Sequence, residues 1–335
     1  MSISTFVSIT AGGVARAVRQ NDDTWKTELI AMGEDVRCLA TDPHHPGTIY
    51  AGTQGSGLYR STDAGRTWQP AGLRGVAVKS IAVSPIEAGV IYAGAKPPMI
   101  FVSTDGGADW AELESFRQMR RWFWFTPAEP GAPYVQGIAL SPADADVIVA
   151  GIEFGAVLRS ADRGATWTGH LNGAIRDCHS LTFHATDGNW VYEAGGGGAA
   201  FSRDGGITWS QPKAGLDRRY GWACAADPAR PEVWYAALSP SMAFPRFVPP
   251  AHIDGRAEAY IFRRVGDAPW EKLGGGLPQP LDYMPYALVT DPDMPGHLYA
   301  GLSNGDVWHS TNHGENWRQL PLNLSGIHRM MVALP

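Results

Sequence analysis

The sequence predicts an all-β chain: one seven-bladed β-propeller over residues 1–335, made of four-stranded antiparallel blades. Three observations predict it. A short motif returns at a basic period near 42 residues; a strand–turn–strand text precedes most copies; and the last residues repeat the text that opens a blade. Composition agrees. Forty glycines, 25 prolines and only 18% charged residues describe many short strands and tight turns, and 44% hydrophobic residues are ample for a core.

The motif is Ser-x-Asp-x-Gly-x-x-Trp. It occurs at Ser61, Asp63, Gly65 and Trp68; at Ser103, Asp105, Gly107 and Trp110; at Ser160, Asp162, Gly164 and Trp167; and at Ser202, Asp204, Gly206 and Trp209. A fifth copy has Asn312 in place of Asp, between Ser310 and Gly314, and ends at Trp317. Two degenerate copies keep mainly Trp25 and Trp270, so seven tryptophans mark seven units. Their spacings are 43, 42, 57, 42, 61 and 47 residues, and the two long intervals carry insertions, at about 115–133 and 239–257. An Asp two residues before a Gly is turn chemistry: the carboxylate accepts backbone N–H groups, Gly supplies positive φ, and Trp buries a large ring between sheets. Asp63, Asp105, Asp162, Asp204 and Asn312 therefore read as structural.

Before the motif come runs such as 36–43 and 48–53, or 79–85 and 90–94, rich in β-branched and aromatic residues and broken by Gly and Pro. Each unit reads strand A, turn, strand B, loop, strand C, motif turn, strand D. Residues 328–335 match a strand A, with Pro335 at the place of Pro43 and Pro85, while the N-terminal unit has no strand A of its own. The C-terminal strand is thus expected to complete the N-terminal blade and leave no free sheet edge.

The motif copies resemble those of the Asp-box (BNR) propellers, which include sialidases, xyloglucanase-type glycoside hydrolases, sortilin-like receptors and the photosystem II assembly factor family. The resemblance covers roughly the whole chain and implies the fold; its members differ in activity, so it does not select a function. The sialidase Arg-Ile-Pro signature is absent near the N-terminus, and the xyloglucanase-type enzymes use two propellers where this length fits one.

Aligning the A strands on their terminal Pro, or on Ala185 where it is missing, gives a column of large polar or aromatic residues: Arg37, Lys79, Gln136, His179, Trp222, Tyr286 and Arg329. The next column is mostly small, from Cys38 and Ser80 to Ala287. Core packing explains small and apolar columns and does not explain this one. Strand A is innermost in a propeller, so the column is expected to ring the channel mouth. Arg329, Arg37 and Lys79 then form a basic arc suited to a carboxylate or phosphate, with Trp222 and Tyr286 placed to stack a ring. A plug of long side chains bonded to one another is the structural alternative.

Both insertions fall on this face. Arg120, Arg121, Trp122 and Trp124 in the first, with Phe244 and Phe247 in the second, are expected to form a lid or a partner-binding loop; an amphipathic segment packed on the rim is the plainer reading. Carboxylates assigned to this side include Glu34, Asp35, Glu153, Asp177, Asp217 and Asp282. The catalytic candidates are Glu153, Asp177, His179 and Tyr286: Asp177 and His179 share a side of an extended strand, and a sialidase-like mechanism would pair Tyr283 or Tyr286 with Glu153. Gly195 to Gly198 lacks the helix and Lys-Ser/Thr of a phosphate loop and reads as a turn. No metal or other cofactor is expected, since His179, His184 and His328 have no ligand spacing.

A net charge of −6 and a pI near 5.9 argue against a nucleic-acid partner, and no apolar run reaches the length of a membrane span. Three cysteines without paired spacing, and a start with no signal-peptide pattern, give a cytoplasmic expectation. The functional expectation is a propeller with a channel-mouth pocket for a small anionic or sugar-like ligand, a glycoside-hydrolase-like enzyme being its catalytic version. The alternative is a non-enzymatic assembly or protein-docking factor using the aromatic-rich loop face.

Overall fold

The computed structural model describes residues 3–33, 35–119, 124, 133–242 and 248–335. Their strands form seven antiparallel sheets. Blade 1 joins Met331–Leu334 to Thr5–Thr10, Gly13–Arg19 and Trp25–Ile30, and Thr5 pairs with Leu334 and Val7 with Val332. The two ends of the chain close the ring in one sheet. Blades 2 and 3 begin at Val36–Thr41 and Ala77–Val83, blades 4 and 5 at Val135–Leu140 and Cys178–Phe183, and blades 6 and 7 at Tyr220–Asp227 and Pro285–Thr290. Each of these A strands touches the A strand of the next blade, and the A strand of blade 7 touches Met331–Leu334, so the inner strands form a complete circle.

Five blades have four strands, the outermost only two residues long in blades 2, 3 and 6; in blades 4 and 5 it is shortened further. In blade 5 it is a single bridge between Phe201 and Ser210, and in blade 4 it is carried by the bonds Thr168 N–H to Arg159 and Leu171 N–H to Val157. An outer strand has one neighbour only, and Pro212 offers no N–H while Gly169 weakens extension in the same place.

The core lies between blades. Tyr50, Tyr192, Trp234 and Phe262 are fully buried there, against a row of alanines (Ala51, Ala93, Ala150, Ala236, Ala300) on the B strands. Close approach sets the neighbouring row: a Cβ on Gly52 would lie 2.6 Å from the Val78 side chain of the next blade. Cys38, Cys178 and Cys224 are buried and free. No helix among the described residues is long and apolar enough to cross a membrane.

The five motif turns share one core set of bonds, to which blades 2, 4 and 5 add a Thr hydroxyl. In blade 2 the Ser61 hydroxyl donates to Asp63 Oδ1 (2.8 Å) and accepts from Gly65 N–H (2.9 Å). The Thr67 N–H and hydroxyl donate to the Asp63 carboxylate, and Trp68 Nε1–H donates to the Gly65 carbonyl. Ala64, Arg163 and His313 hold left-handed φ of 56° within their turns. Each turn is also tied to the A–B turn of its own blade, as by Ala64 N–H to Gly47 and His313 N–H to Gly296. Asn312 accepts from the Ser310 hydroxyl and the Asn316 N–H as the aspartates do, without the Thr hydroxyl bond to the second oxygen. These residues fasten the face opposite the mouth.

Candidate functional site at the channel mouth

All seven residues of the aligned column line one cavity on the propeller axis, with a volume of about 190 Å³. Strand pairing shows how they reach it. Val36 pairs with Thr53 and Cys38 with Gly52, so Arg37 is an extra residue that has no partner across the strand. The same register shift falls at Lys79, Gln136, His179, Trp222 and Tyr286. Six β-bulges thus remove one side chain per blade from the alternation of the pleat and re-aim it. Arg329 precedes the last strand instead.

The ring divides into two halves. On blades 1 to 3, Arg37 is ion-paired with Asp35, and Lys79 Nζ donates to Gln54 Oε1 (2.8 Å) and sits 4.9 Å from the centre of the Tyr134 ring. The Arg329 guanidinium has no hydrogen bond or ion pair among the described residues, although it lines the cavity. On blades 4 to 7 the side chains interlock. Gln136 donates to the His179 carbonyl, the His179 ring lies 4.8 Å from Trp222, and Trp222 lies 4.9 Å from Tyr286. Trp222 Nε1–H donates to the Arg329 carbonyl (3.0 Å) and so ties blade 6 to blade 1. The aromatic half is a partial plug.

The second insertion returns over this plug. Its 3₁₀ turn Pro250–His252 sets His252 edge-on to Trp222 and 2.7 Å from both the Tyr220 and Tyr286 hydroxyls. Tyr286 O–H donates to the Ala251 carbonyl, which assigns its contact with His252 as Nδ1–H donating and leaves His252 Nε2 to accept from Tyr220. Burial pushes the His252 imidazole down to about 4, in keeping with this neutral form. Phe244 and Phe247 lie outside the described residues, as do Arg120, Arg121 and Trp122 of the first insertion and Glu34. Trp124 is half-buried against Phe116, which is itself fully buried, and against Gly155; it packs on the rim of blade 4.

Beside the ring, between blades 4 and 5, Glu153, Asp177 and His179 converge, each 9% exposed or less. One donor atom from each lies within 4.8 Å of the others. Burial, opposed by His179, pushes the Glu153 carboxyl up to about 7. Burial works against a charge on His179, but Asp177 and Glu153 together lift its imidazole above the ordinary range. The tyrosine that hydrogen-bonds Glu153 is Tyr134, not Tyr286, whose hydroxyl is held by His252 and Ala251. That corrects the expected tyrosine–carboxylate pair: Tyr134 sits two residues before the bulge of blade 4, within reach of the B–C turn that carries Glu153. Nor do the histidines gather; His184 bonds Asp227 and Thr186 instead.

Glu193 was not visible as a site residue. It stands in the alanine row of the B strands, is fully buried, and accepts the Ile175 N–H at 2.8 Å. Burial pushes its carboxyl up to about 8. A Glu where Ala51, Ala93, Ala150 and Ala300 stand in the other blades is the signal that marks it.

A family model for the BNR/Asp-box repeat matches residues 200–211, the blade-5 motif. With five such turns bonded alike in a closed ring of seven sheets, the assignment follows. The chain is an Asp-box β-propeller.

Among solved structures this Asp-box propeller is similar to an ancestral GH74 enzyme (TM-score 0.65, 21% identity, covering 85% of this chain and 38% of that one). It is similar also to the GH74 xyloglucanase of Xanthomonas campestris (0.61, 19%, 85% and 45%). A third is YCF48 bound to D1 peptide (0.59, 15%, 93% and 86%). The propeller spans less than half the length of the two enzymes. At these identities the likeness is one of fold. No curated protein matches the sequence.

Proposed function

We propose that the channel mouth binds a small ligand carrying a carboxylate or phosphate, held by the Arg329, Arg37 and Lys79 arc and packed against Trp222 and Tyr286. The observation that carries this is the Arg329 guanidinium, which lines the cavity with no hydrogen bond or ion pair among the described residues while Arg37 and Lys79 add two further cations on the next two blades. A guanidinium in that position is suited to a planar or tetrahedral anion. The volume supports a small ligand: about 190 Å³ is below the roughly 300–1,000 Å³ of drug-sized pockets. The Pro250–His252 turn, folded over the mouth, favours an enclosed ligand over a flat docking face.

The geometry gives less support to glycoside hydrolysis. The Glu153 and Asp177 oxygens come within 4.8 Å of each other, too close for the about 6.5–9.5 Å separation of an inverting pair, and both carboxyls are buried rather than open to a sugar. The second reading, a docking factor, is favoured by one observation: YCF48, seen with a peptide, is matched over 86% of its length. A peptide would then present its carboxylate to the same arc.

Isothermal calorimetry with citrate, phosphate, glucuronate, glucose and an acidic peptide, in chelator-treated buffer, separates these. The expected result is saturable binding of a small anion, weakened roughly tenfold or more by Arg329→Ala, with glucose silent. Binding of the peptide alone replaces the reading with docking, and silence of all five overturns it.

A further inference from the structure

We propose that Glu153, Asp177 and His179 form a site for one divalent first-row transition metal ion, Mn²⁺ or Zn²⁺, in the wall of the mouth between blades 4 and 5. Three observations carry it. His179 directs Nδ1 at the Gly221 carbonyl (2.7 Å), the outer contact that fixes the tautomer of a metal-binding imidazole and leaves Nε2 as a lone pair. That nitrogen faces Asp177 Oδ1 at 3.4 Å, and Asp177 Oδ1 is a buried atom that accepts no hydrogen bond from the described residues, on a residue only 9% exposed. Glu153 completes the group from the adjacent blade, steadied by the Tyr134 hydroxyl. Metal binding requires Nε2 and Glu153 to be free of protons, and in that form three acceptors converge on one small space, two carboxylates facing one neutral ring. A divalent cation satisfies all three and balances the charge.

The surroundings hold these donors in place. The Gly196 N–H donates to the Asp177 carbonyl (2.9 Å), and a methyl group on Gly196 would run into the Asp177 carboxylate. The glycine run that reads as a turn is thus also the space Asp177 occupies. Glu193 anchors the approach to Asp177 through Ile175 N–H. Two carboxylates with one imidazole suit Mn²⁺ or Zn²⁺ over Ca²⁺ or Mg²⁺, which take all-oxygen sets. Three protein donors leave coordination positions for an exogenous oxygen. The site stands independently of the anion pocket.

The test is titration of chelator-treated full-length protein with Mn²⁺, Zn²⁺ and Ca²⁺, followed by calorimetry and thermal unfolding. One Mn²⁺ or Zn²⁺ per chain and a raised Tm are expected. Asp177→Asn and Glu153→Gln each weaken binding roughly tenfold or more, and Gly196→Ala weakens it with every donor retained. Asp217→Asn, which alters only the surface ion pairs to Lys272 and Arg218, leaves it unchanged. Pulsed electron paramagnetic resonance of the wild-type Mn²⁺ complex, which needs no variant, shows one imidazole nitrogen coupling. The proposal is overturned by absence of saturable Mn²⁺ and Zn²⁺ binding at millimolar ion, by binding indifferent to Asp177→Asn and Glu153→Gln, by a missing nitrogen coupling, or by tighter Ca²⁺. Because no anion is present, failure here leaves the anion pocket untouched, and the reverse holds for the anion panel.

Discussion

On the face of the A–B and C–D turns, five blades place the same four residue types in the same bonds, and even the Asp-to-Asn change in blade 7 keeps them. On the opposite face the equivalent position is Arg, Lys, Gln, His, Trp or Tyr according to the blade. The motif carboxylates find all their partners within a few residues. The Asp162 carboxyl, for example, is held below the ordinary range by the Thr166 hydroxyl and N–H and by Ser160. At the mouth, most partners come from other blades, and Asp177 Oδ1, Glu193 Oε1 and Arg37 Nε have no hydrogen-bond partner among the described residues. Repetition marks where the scaffold solves one local problem many times. Departure from it, with polar groups unsatisfied, marks where the scaffold has been put to other use.

The comparison can be sharpened by perturbing each face. Trp209→Ala removes a motif ring that is only 7% exposed and should cost about 3–5 kcal/mol of unfolding free energy, read by denaturant melts, without altering anion binding. A loss of ligand binding in a variant that still folds would break the separation of the faces.

Glu193→Gln tests the mouth with the opposite sign. The folded carboxyl titrates at about 8 and the unfolded one at its ordinary value of 4.5, so the folded state binds the extra proton. Stability should therefore fall as pH rises from about 4.5 to 8, at about 1.4 kcal/mol per unit of displaced pKa. The Gln variant, melted in chelator across that window, should show a flatter profile and gain on the parent most at the alkaline end. An unchanged slope would mean that Glu193 is not the titrating group.

Asp204→Ala should cost about 1 kcal/mol, typical for losing such a turn cap, while Asp204→Asn should cost less, keeping the Ser hydroxyl and backbone N–H bonds that Asn312 makes but losing the Thr208 hydroxyl bond to Oδ2. Burial opposes the Asp204 charge, but the Thr208, Ser202 and Ile207 bonds outweigh it and lower the carboxyl pKa. Its contribution is present above the unfolded value near 3.8 and is lost as pH falls through the folded one. The Asn variant should lose that acid dependence in thermal melts. The smallest effect belongs to Ala64→Gly, which relaxes a left-handed residue and should change stability by about 1 kcal/mol or less.

The fold was legible in the sequence because its defining chemistry is local. Ser61, Asp63, Gly65 and Trp68 lie within eight residues and bond one another, and the tryptophan spacing then counts the blades. The ring column was legible by alignment, although the bulges that produce it were not: a bulge is a mismatch between two strands and leaves no periodic trace in either. Asp177 and His179 were found as near neighbours in sequence. Tyr134, His252 and Glu193 were not, since their partners lie on other strands, other blades or an insertion, and only the three-dimensional ring brings them together.

The six bulged residues face the channel without being part of the pleated alternation that packs blade on blade. On blades 2 and 3, exchanging Arg37 or Lys79 leaves the strand pairing intact, so what that side of the opening recognises is free to drift through single substitutions. On blades 4 to 7 the rings lock into one another, and a change there has to be matched by its neighbours, so new specificities are reached most directly from the basic side.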